Sequence, residues 1–475
     1  MTRRALQTLL AAAVISVGCL PEKRIVWSPD GKQAAVRAAD GLYLCNGDGE
    51  LSARIAEDVG PVAWFHDSRR LLCVEPTEVK TWDELAPYWP IESPDQWKAL
   101  ADQLRSEILA YEGDWNDFEF ARENELPTPG MAALILYVRD HRSEGLREKL
   151  GEKWDEIRKW TVPMYHVRVY EISDGQARPL SSAFASFEDV VEIRVSPDGR
   201  NVALLVGDSV LEAGGRLFVM SADGESTPRM VAEAASMFPD WSPDGRFLVF
   251  ARAGTSGGKG TGEPQLGAIV RRQVCTKDGA LLAEFPGAEE LASGLFYAWM
   301  RVRCLRDGRI LFTAHEVSLP CSTKDTPQDL ALFALDPDKR PTVARVTTRQ
   351  AQPELGEGIG FFEVSPDETK IAVPGDKGAV MVYKLVSGHV ETVRTGWEFE
   401  GDLPTLPVWR SDDELCFAAP GESPNRAEIV LWSEKGARPL SKQWPASVVE
   451  GFLTKENDRQ GSGEPQPEAS GSPEP

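Results

Sequence analysis

The stretch "DWSPDGRFLVF", Asp240 to Phe250, decides the fold. Proline after the serine presets φ for a tight turn, aspartate can bond the backbone beyond it, and glycine takes the left-handed geometry that closes it. An apolar run follows with the period-two rhythm of a strand, so the segment reads as a hairpin. Three more copies stand at "VWSPDGKQAAV" (26–36), "RVSPDGRNVALL" (194–205) and "EVSPDETKIAV" (363–373). Degenerate copies stand at "AWFHDSRRLLCV" (63–74), "RCLRDGRILFTA" (303–314) and "VWRSDDELCFA" (408–418). The turn residues of the clear copies are Pro29, Asp30 and Gly31; Pro197, Asp198 and Gly199; Pro243, Asp244 and Gly245; and Pro366 with Asp367.

Each copy is followed by a second strand pair, as in "GRLFVMSADGE" (215–225) and "AVMVYKLVSGHVETV" (379–393). Four strands recurring in this way predict an all-β fold, a seven-bladed β-propeller of four-stranded blades. One such sheet cannot bury both faces alone, so neighbouring blades must supply the core. The turns and "LFVMSADG" (217–224) resemble the TolB-type, WD40-like propeller repeat over most of 24–445. The resemblance lies in the repeats and not in the α/β domain that precedes the TolB propeller. It implies the fold and no particular activity, because propellers host many chemistries.

Copies recur about every forty to sixty residues, except between the second and third, where about eighty are added. That surplus, 78–163, has a helical texture. Ser93 and Pro94 suit the cap and first position of a helix, Thr128 and Pro129 suit another, and "SEGLREKLGEKWDEIRKW" (143–160) suits a third. A three-helix subdomain inserted in blade 2 is expected, with Trp82, Trp89, Trp97, Trp115, Trp154 and Trp160 mostly in its core. The propeller would then occupy 19–77 and 164–446. From 447 to 475 a disordered acidic Pro/Gly/Ser tail is expected, since it has little apolar surface to bury.

The 475 residues carry a net charge of −22, which argues against nucleic acid, whose phosphates need a basic patch. Residues 1–18 read as an export signal: Arg3 and Arg4, an apolar run too short to span a bilayer, then a small residue. Ser16-Val17-Gly18-Cys19 resembles a lipobox, which implies acylation at Cys19 and a membrane tether in the bacterial envelope, periplasmic or outer-membrane. Cys45, Cys73, Cys275, Cys304, Cys321 and Cys416 show no metal-ligand spacing, and most lie in strand-like runs that suit buried free thiols. No metal or cofactor is expected. The glycine-rich 254–262 resembles a nucleophile elbow and a phosphate loop only superficially, since neither has its strand and helix context.

The innermost strand of each blade lines a central channel. Two residues before each turn serine or its equivalent stand Val26, Ala63, Arg194, Asp240, Arg303, Glu363 and Val408, with Glu192 and Arg301 two residues earlier. These charges suit ion pairs between blades or a channel-mouth site for a small charged ligand. The 78–163 segment and the loops near 254–262 and 316–328 all join second to third strands, so they share the face opposite the SPDG turns. A monomeric, non-catalytic scaffold that binds a protein or ligand there, with a partner in the envelope, is the leading expectation. The alternatives are a propeller hydrolase or lyase acting on carbohydrate or peptide through Asp240, Glu363 or Glu192, and a calcium ion held by loop carboxylates. The few residues between Cys19 and the first strand would hold the elaborated face toward the membrane.

Overall fold

The computed structural model describes residues 23–450 except 39, 91–93, 112–129, 208–213, 236–237, 254–264, 297–299, 316–329, 340–342, 376–377, 395–404 and 422–426. The export segment, Cys19, Ser93, Thr128, Pro129, Trp115, Cys321 and the glycine-rich loop lie outside the described residues.

The strands are short antiparallel meanders. β1 (Ile25–Trp27), β2 (Gln33–Ala38) and β3 (Gly41–Asn46) form a three-stranded sheet. β4 (Val62–Trp64), β5 (Arg70–Val79), β6 (Val162–Ser173) and β7 (Gln176–Ser186) form the next, followed by β8 (Val190–Val195), β9 (Asn201–Val206), β10 (Gly215–Ser221) and β11 (Arg229–Ala235). An eight-stranded sheet contains β12 (Asp240–Trp241), β13 (Phe247–Ala253), β14 (Gln265–Gln273), β15 (Glu289–Phe296), β16 (Val302–Cys304), β17 (Ile310–His315), β18 (Leu330–Leu335) and β19 (Val343–Arg345). Two four-stranded sheets complete the chain. One holds β20 (Glu363–Val364), β21 (Lys370–Pro374), β22 (Val380–Lys384) and β23 (Val390–Arg394). The other holds β24 (Val408–Trp409), β25 (Leu415–Pro420), β26 (Ala427–Ser433) and β27 (Gly436–Pro439).

The architecture is a β-propeller, but the expectation of seven separate four-stranded blades is corrected. The strands form six hydrogen-bonded sheets, of which four have four strands, one has three and one has eight. The reasons are local. One residue pair, Leu295 with His315, joins β15 to β17 and fuses what the repeats suggested were two units. After β3, the outer edge is reduced to the isolated bridges Leu42–Ala56 and Cys45–Leu51.

The predicted turns form as their residues dictate. Ser28 Oγ donates to Asp30 Oδ1 at 2.7 Å, and the same bond is 2.6 Å in Ser196–Asp198, Ser242–Asp244 and Ser365–Asp367. The aspartate in turn accepts the amide two residues on, as from Lys32 and Arg246. The fourth turn residue has positive φ even where it is not glycine, as at Ser68 (57°) and Glu368 (61°).

Innermost strands meet around the channel: β1 lies against β4 and β24, β4 against β8, β12 against β16, and β20 against β24. A repeated indole bond ties them. Trp64, Trp241 and Trp409 donate Nε1–H to the carbonyls of Val26, Arg194 and Glu363, at 2.8, 3.0 and 2.9 Å. Among the described residues no strand is shared at the ring closure, where the first sheet meets the last through side chains. Ile25, Trp27 and Val36 pack with Cys416, Ile429 and Leu440. Trp444 joins them and donates Nε1–H to Gly49 O at 2.8 Å. Val448 and Val449, in the short helix Ala446–Glu450, are buried in the same cluster, so ordered chain continues past 447.

Gly31 shows how close this closure is. Its φ is +68°, and a Cβ built there would stand 2.6 Å from the Arg410 carbonyl oxygen. Gly31→Ala is expected to lower stability by more than about 1 kcal/mol, because both strain and a backbone clash arise. Urea denaturation measures it.

The chain between β5 and β6 does not form the separate three-helix subdomain expected. Its described helices are α1 (Trp82–Leu85), α2 (Pro94–Ala110), α3 (Gly130–His141), α4 (Leu146–Leu150) and α5 (Glu152–Ile157). Gly151, at φ 55°, divides the anticipated third helix into α4 and α5, and Thr81 Oγ1 caps an unanticipated first one. β5 and β6 remain paired out to Val79–Val162. Their ends contribute Val79, Val162 and Met164 to the same core as Trp82, Leu104, Leu134 and Trp154, so the connection is an outgrowth of its sheet. Trp82 and Trp154 are buried, while Trp89, Trp97 and Trp160 are partly so. Among the described residues, no helix is long and apolar enough to cross a membrane.

Candidate functional site

The charged residues of the innermost strands fall into two groups. In the first, Asp240 begins β12 and Arg303 lies in the adjacent β16. Arg303 Nη1 is 3.2 Å from Asp240 Oδ2, which also accepts the Cys304 amide at 2.9 Å. Asp240 chiefly sustains the raised pKa of Arg303, against the penalty of burial.

The second group gathers around Glu363, which stands at the same strand position as Asp240. Glu363 opens β20, Arg301 precedes β16, and Glu192 and Arg194 lie two apart on β8. Arg301 Nη1 donates to Phe362 O at 2.8 Å and pairs with Glu363, while its guanidinium carbon stands 4.5 Å from the centre of the Phe238 ring. Lys23 Nζ reaches the other Glu363 oxygen at 2.8 Å. Glu192 and Arg194 pair at 2.9 Å within one strand, so this pair does not tie blades together as expected. Burial alone would raise the Glu363 pKa, but Lys23, Arg301 and Arg194 outweigh it and hold the carboxyl well below the usual range. Burial, with Arg194 and Arg301 nearby, lowers the pKa of Lys23, which Glu363 partly offsets.

Lys23 is the functional-group residue that the repeat pattern missed, because it precedes the first copy and has no counterpart at its alignment position. Its cation just before an apolar strand was the available signal. The described cysteines, Cys45, Cys73, Cys275, Cys304 and Cys416, are free, and burial raises the thiol pKa of each, to about 12 for Cys45, Cys275 and Cys416. Such thiols are poor nucleophiles. Among the described residues, no three His, Cys, Asp or Glu side chains gather as a metal site.

A different surface feature marks the β5–β6 connection. Tyr88, 43% exposed, lies 5.5 Å from Phe184 and 5.9 Å from His166, centre to centre. Phe184 continues to Phe187 at 4.7 Å, Phe187 to Trp89 at 4.9 Å, and Trp89 to Trp97 at 5.6 Å. Burial, and then Arg168, lowers the His166 pKa and favours its neutral ring. The sequence placed most of these tryptophans in the core and left one or two as exposed anchors; the Phe184 and Phe187 contributions come from β7 and the turn after it and are visible only in three dimensions.

No protein-family model and no curated protein matches the chain. Among solved structures it is similar to the Cps50 (Swd1) β-propeller domain of Myceliophteria thermophila, at 10% identity over 88% of this chain and 98% of that one, TM-score 0.45. It is also similar to the β-propeller domain of the Trilobed protease from Pyrococcus furiosus (12% identity, 58% and 74% coverage, TM-score 0.35). A third is an oligogalacturonate lyase from Vibrio parahaemolyticus (11% identity, 76% of each chain, TM-score 0.40). These likenesses concern the fold and transfer no activity.

Proposed function

We propose that this chain is a non-catalytic propeller scaffold of the bacterial cell envelope that binds a protein partner through the face bearing the β5–β6 connection. The observation that carries the reading is the state of the channel carboxylates. Glu363 is held by Lys23 and Arg301, Asp240 by Arg303, and Glu192 by Arg194. Glu363, held well below the usual carboxylate range by these cations, is a weak base. The Tyr88–Trp89–Phe187 group supplies aromatic anchors of the kind that dominate protein interfaces. The envelope setting and the tether through Cys19 rest on the lipobox-like sequence, and the TolB-type repeats accord with them.

Cross-linking the intact protein in membranes of its host, with Tyr88→Ala/Trp89→Ala beside the wild type, tests this. The expected result is one envelope protein captured by the wild type and lost from the double variant, whose melting temperature is retained. Capture that the double variant leaves unchanged would overturn the assigned surface, and recovery of the protein in the soluble fraction would overturn the tether. Turnover of a carbohydrate or peptide, abolished in Asp240→Asn with the fold intact, would establish the enzyme reading instead.

A further inference from the structure

The described residues of the Glu363 cluster hold more positive than negative charge. Among the described residues, Lys23, Arg194 and Arg301 face two carboxylates, Glu192 and Glu363, which leaves one cation in excess within a chain of net charge −22. All three cations act on Glu363, so the five groups share one electrostatic site. Such an excess in a mostly buried region calls for a counter-ion.

Arg301 indicates where that ion sits. Its side chain is 3% exposed, and Nη1 is used by Phe362 O and Glu363. Its other edge, the parallel N–H pair of Nε and Nη2, is buried and has no hydrogen-bond partner. Buried donors of a guanidinium are rarely left unmatched, and this edge has the two-pronged geometry that fits the two oxygens of a carboxylate. Arg194 Nε is also buried without an aligned hydrogen bond, despite its ion pair with Glu192. Lys23, Arg194 and Glu363, the charged groups gathered with Arg301, are each about one-fifth exposed.

We propose that the Glu363 cluster is a binding site for a small monocarboxylate, whose oxygens accept from Nε and Nη2 of Arg301 and whose single charge, with those of Glu192 and Glu363, balances Lys23, Arg194 and Arg301. A divalent cation does not fit a site already in positive excess, and a phosphate dianion would reverse the imbalance. The site is independent of the partner surface proposed above, and its failure leaves that reading untouched.

The test is thermal denaturation of the intact protein in sodium acetate, with sodium chloride and sodium phosphate at matched ionic strength. Acetate is expected to raise the melting temperature saturably, chloride not at all and phosphate less than acetate. Arg301→Lys keeps the charge that pairs with Glu363 but removes the two-pronged edge, and should weaken acetate binding at least about tenfold. Arg178→Gln, at an exposed pair on β7, should bind as the wild type does. Arg194→Gln gives a second reading if Arg301→Lys fails to fold, and it too should weaken binding. An acetate response equal to that of chloride in the wild type would overturn the proposal. So would undiminished acetate binding in Arg301→Lys, or in Arg194→Gln where that variant has to decide.

Discussion

Glu363→Gln is expected to destabilise the protein by about 3–5 kcal/mol, because it strips the shared counter-charge from two cations at once. Lys23 Nζ lies 2.8 Å from one carboxylate oxygen and Arg301, 3% exposed, pairs with the other. Their loss leaves Arg301 charged and buried, a state more costly than the ion pair is favourable. Two sheets are affected, since Lys23 leads into β1 and Glu363 opens β20, so the variant should also loosen the ring closure. The pH dependence has a definite sign. The folded pKa of Glu363 lies below its unfolded value, so its contribution is fully present above the unfolded carboxylate pKa. It declines as pH falls below that value and is lost once pH passes the folded pKa. Wild-type stability should therefore fall more steeply on acidification than that of Glu363→Gln, and denaturant titrations between pH 7 and pH 3 measure the difference. Parallel slopes would show that Glu363 does not carry the acid sensitivity.

Trp444→Ala is expected to cost about 3–5 kcal/mol and to open the ring at one identifiable seam. Trp444 is 5% exposed, packs in the cluster shared by the first and last sheets, and bonds Gly49 O at 2.8 Å. Because no strand of the described residues crosses this seam, side-chain packing and a few bonds such as Arg410 Nε to Gly31 O hold the closure there. Truncating the indole removes both a large apolar surface and a backbone contact between residues 395 apart in sequence. Hydrogen exchange should report it as faster exchange in β1–β3 and β24–β27 ahead of the other sheets. Uniform acceleration around the ring would mean that closure is not the weak point.

Much of the fold was legible because its code is local. A Ser-Pro-Asp-Gly turn needs only its own residues to set φ and to bond Ser28 to Asp30, and the strands after it follow from alternation. The limits of the repeat reading are also physical. Blade boundaries depend on edge pairing, and one pair, Leu295–His315, is enough to fuse two units that the repeats separate. The helical stretch was readable as helix from Pro94 onward, but its unity with β5 and β6 arises from burial of Val79, Val162 and Met164 against it.

The candidate site divides in the same way. Aligning the strands named Arg194, Asp240, Arg301, Arg303 and Glu363 as channel residues, since position in a strand is a local property. The partners were a different matter: Glu192 turns to its own strand neighbour Arg194, Lys23 enters from before the first repeat, and Phe238 stacks on Arg301. The amino-acid sequence alone determined the hairpins, their repetition and the charges that point inward, because turn chemistry and two-residue periodicity act over a few positions. Three-dimensional packing determined which sheets join, how the ring closes and which charge meets which. Those outcomes depend on groups such as Lys23 and Glu363, 340 residues apart, that become neighbours only when the chain has gone around the ring.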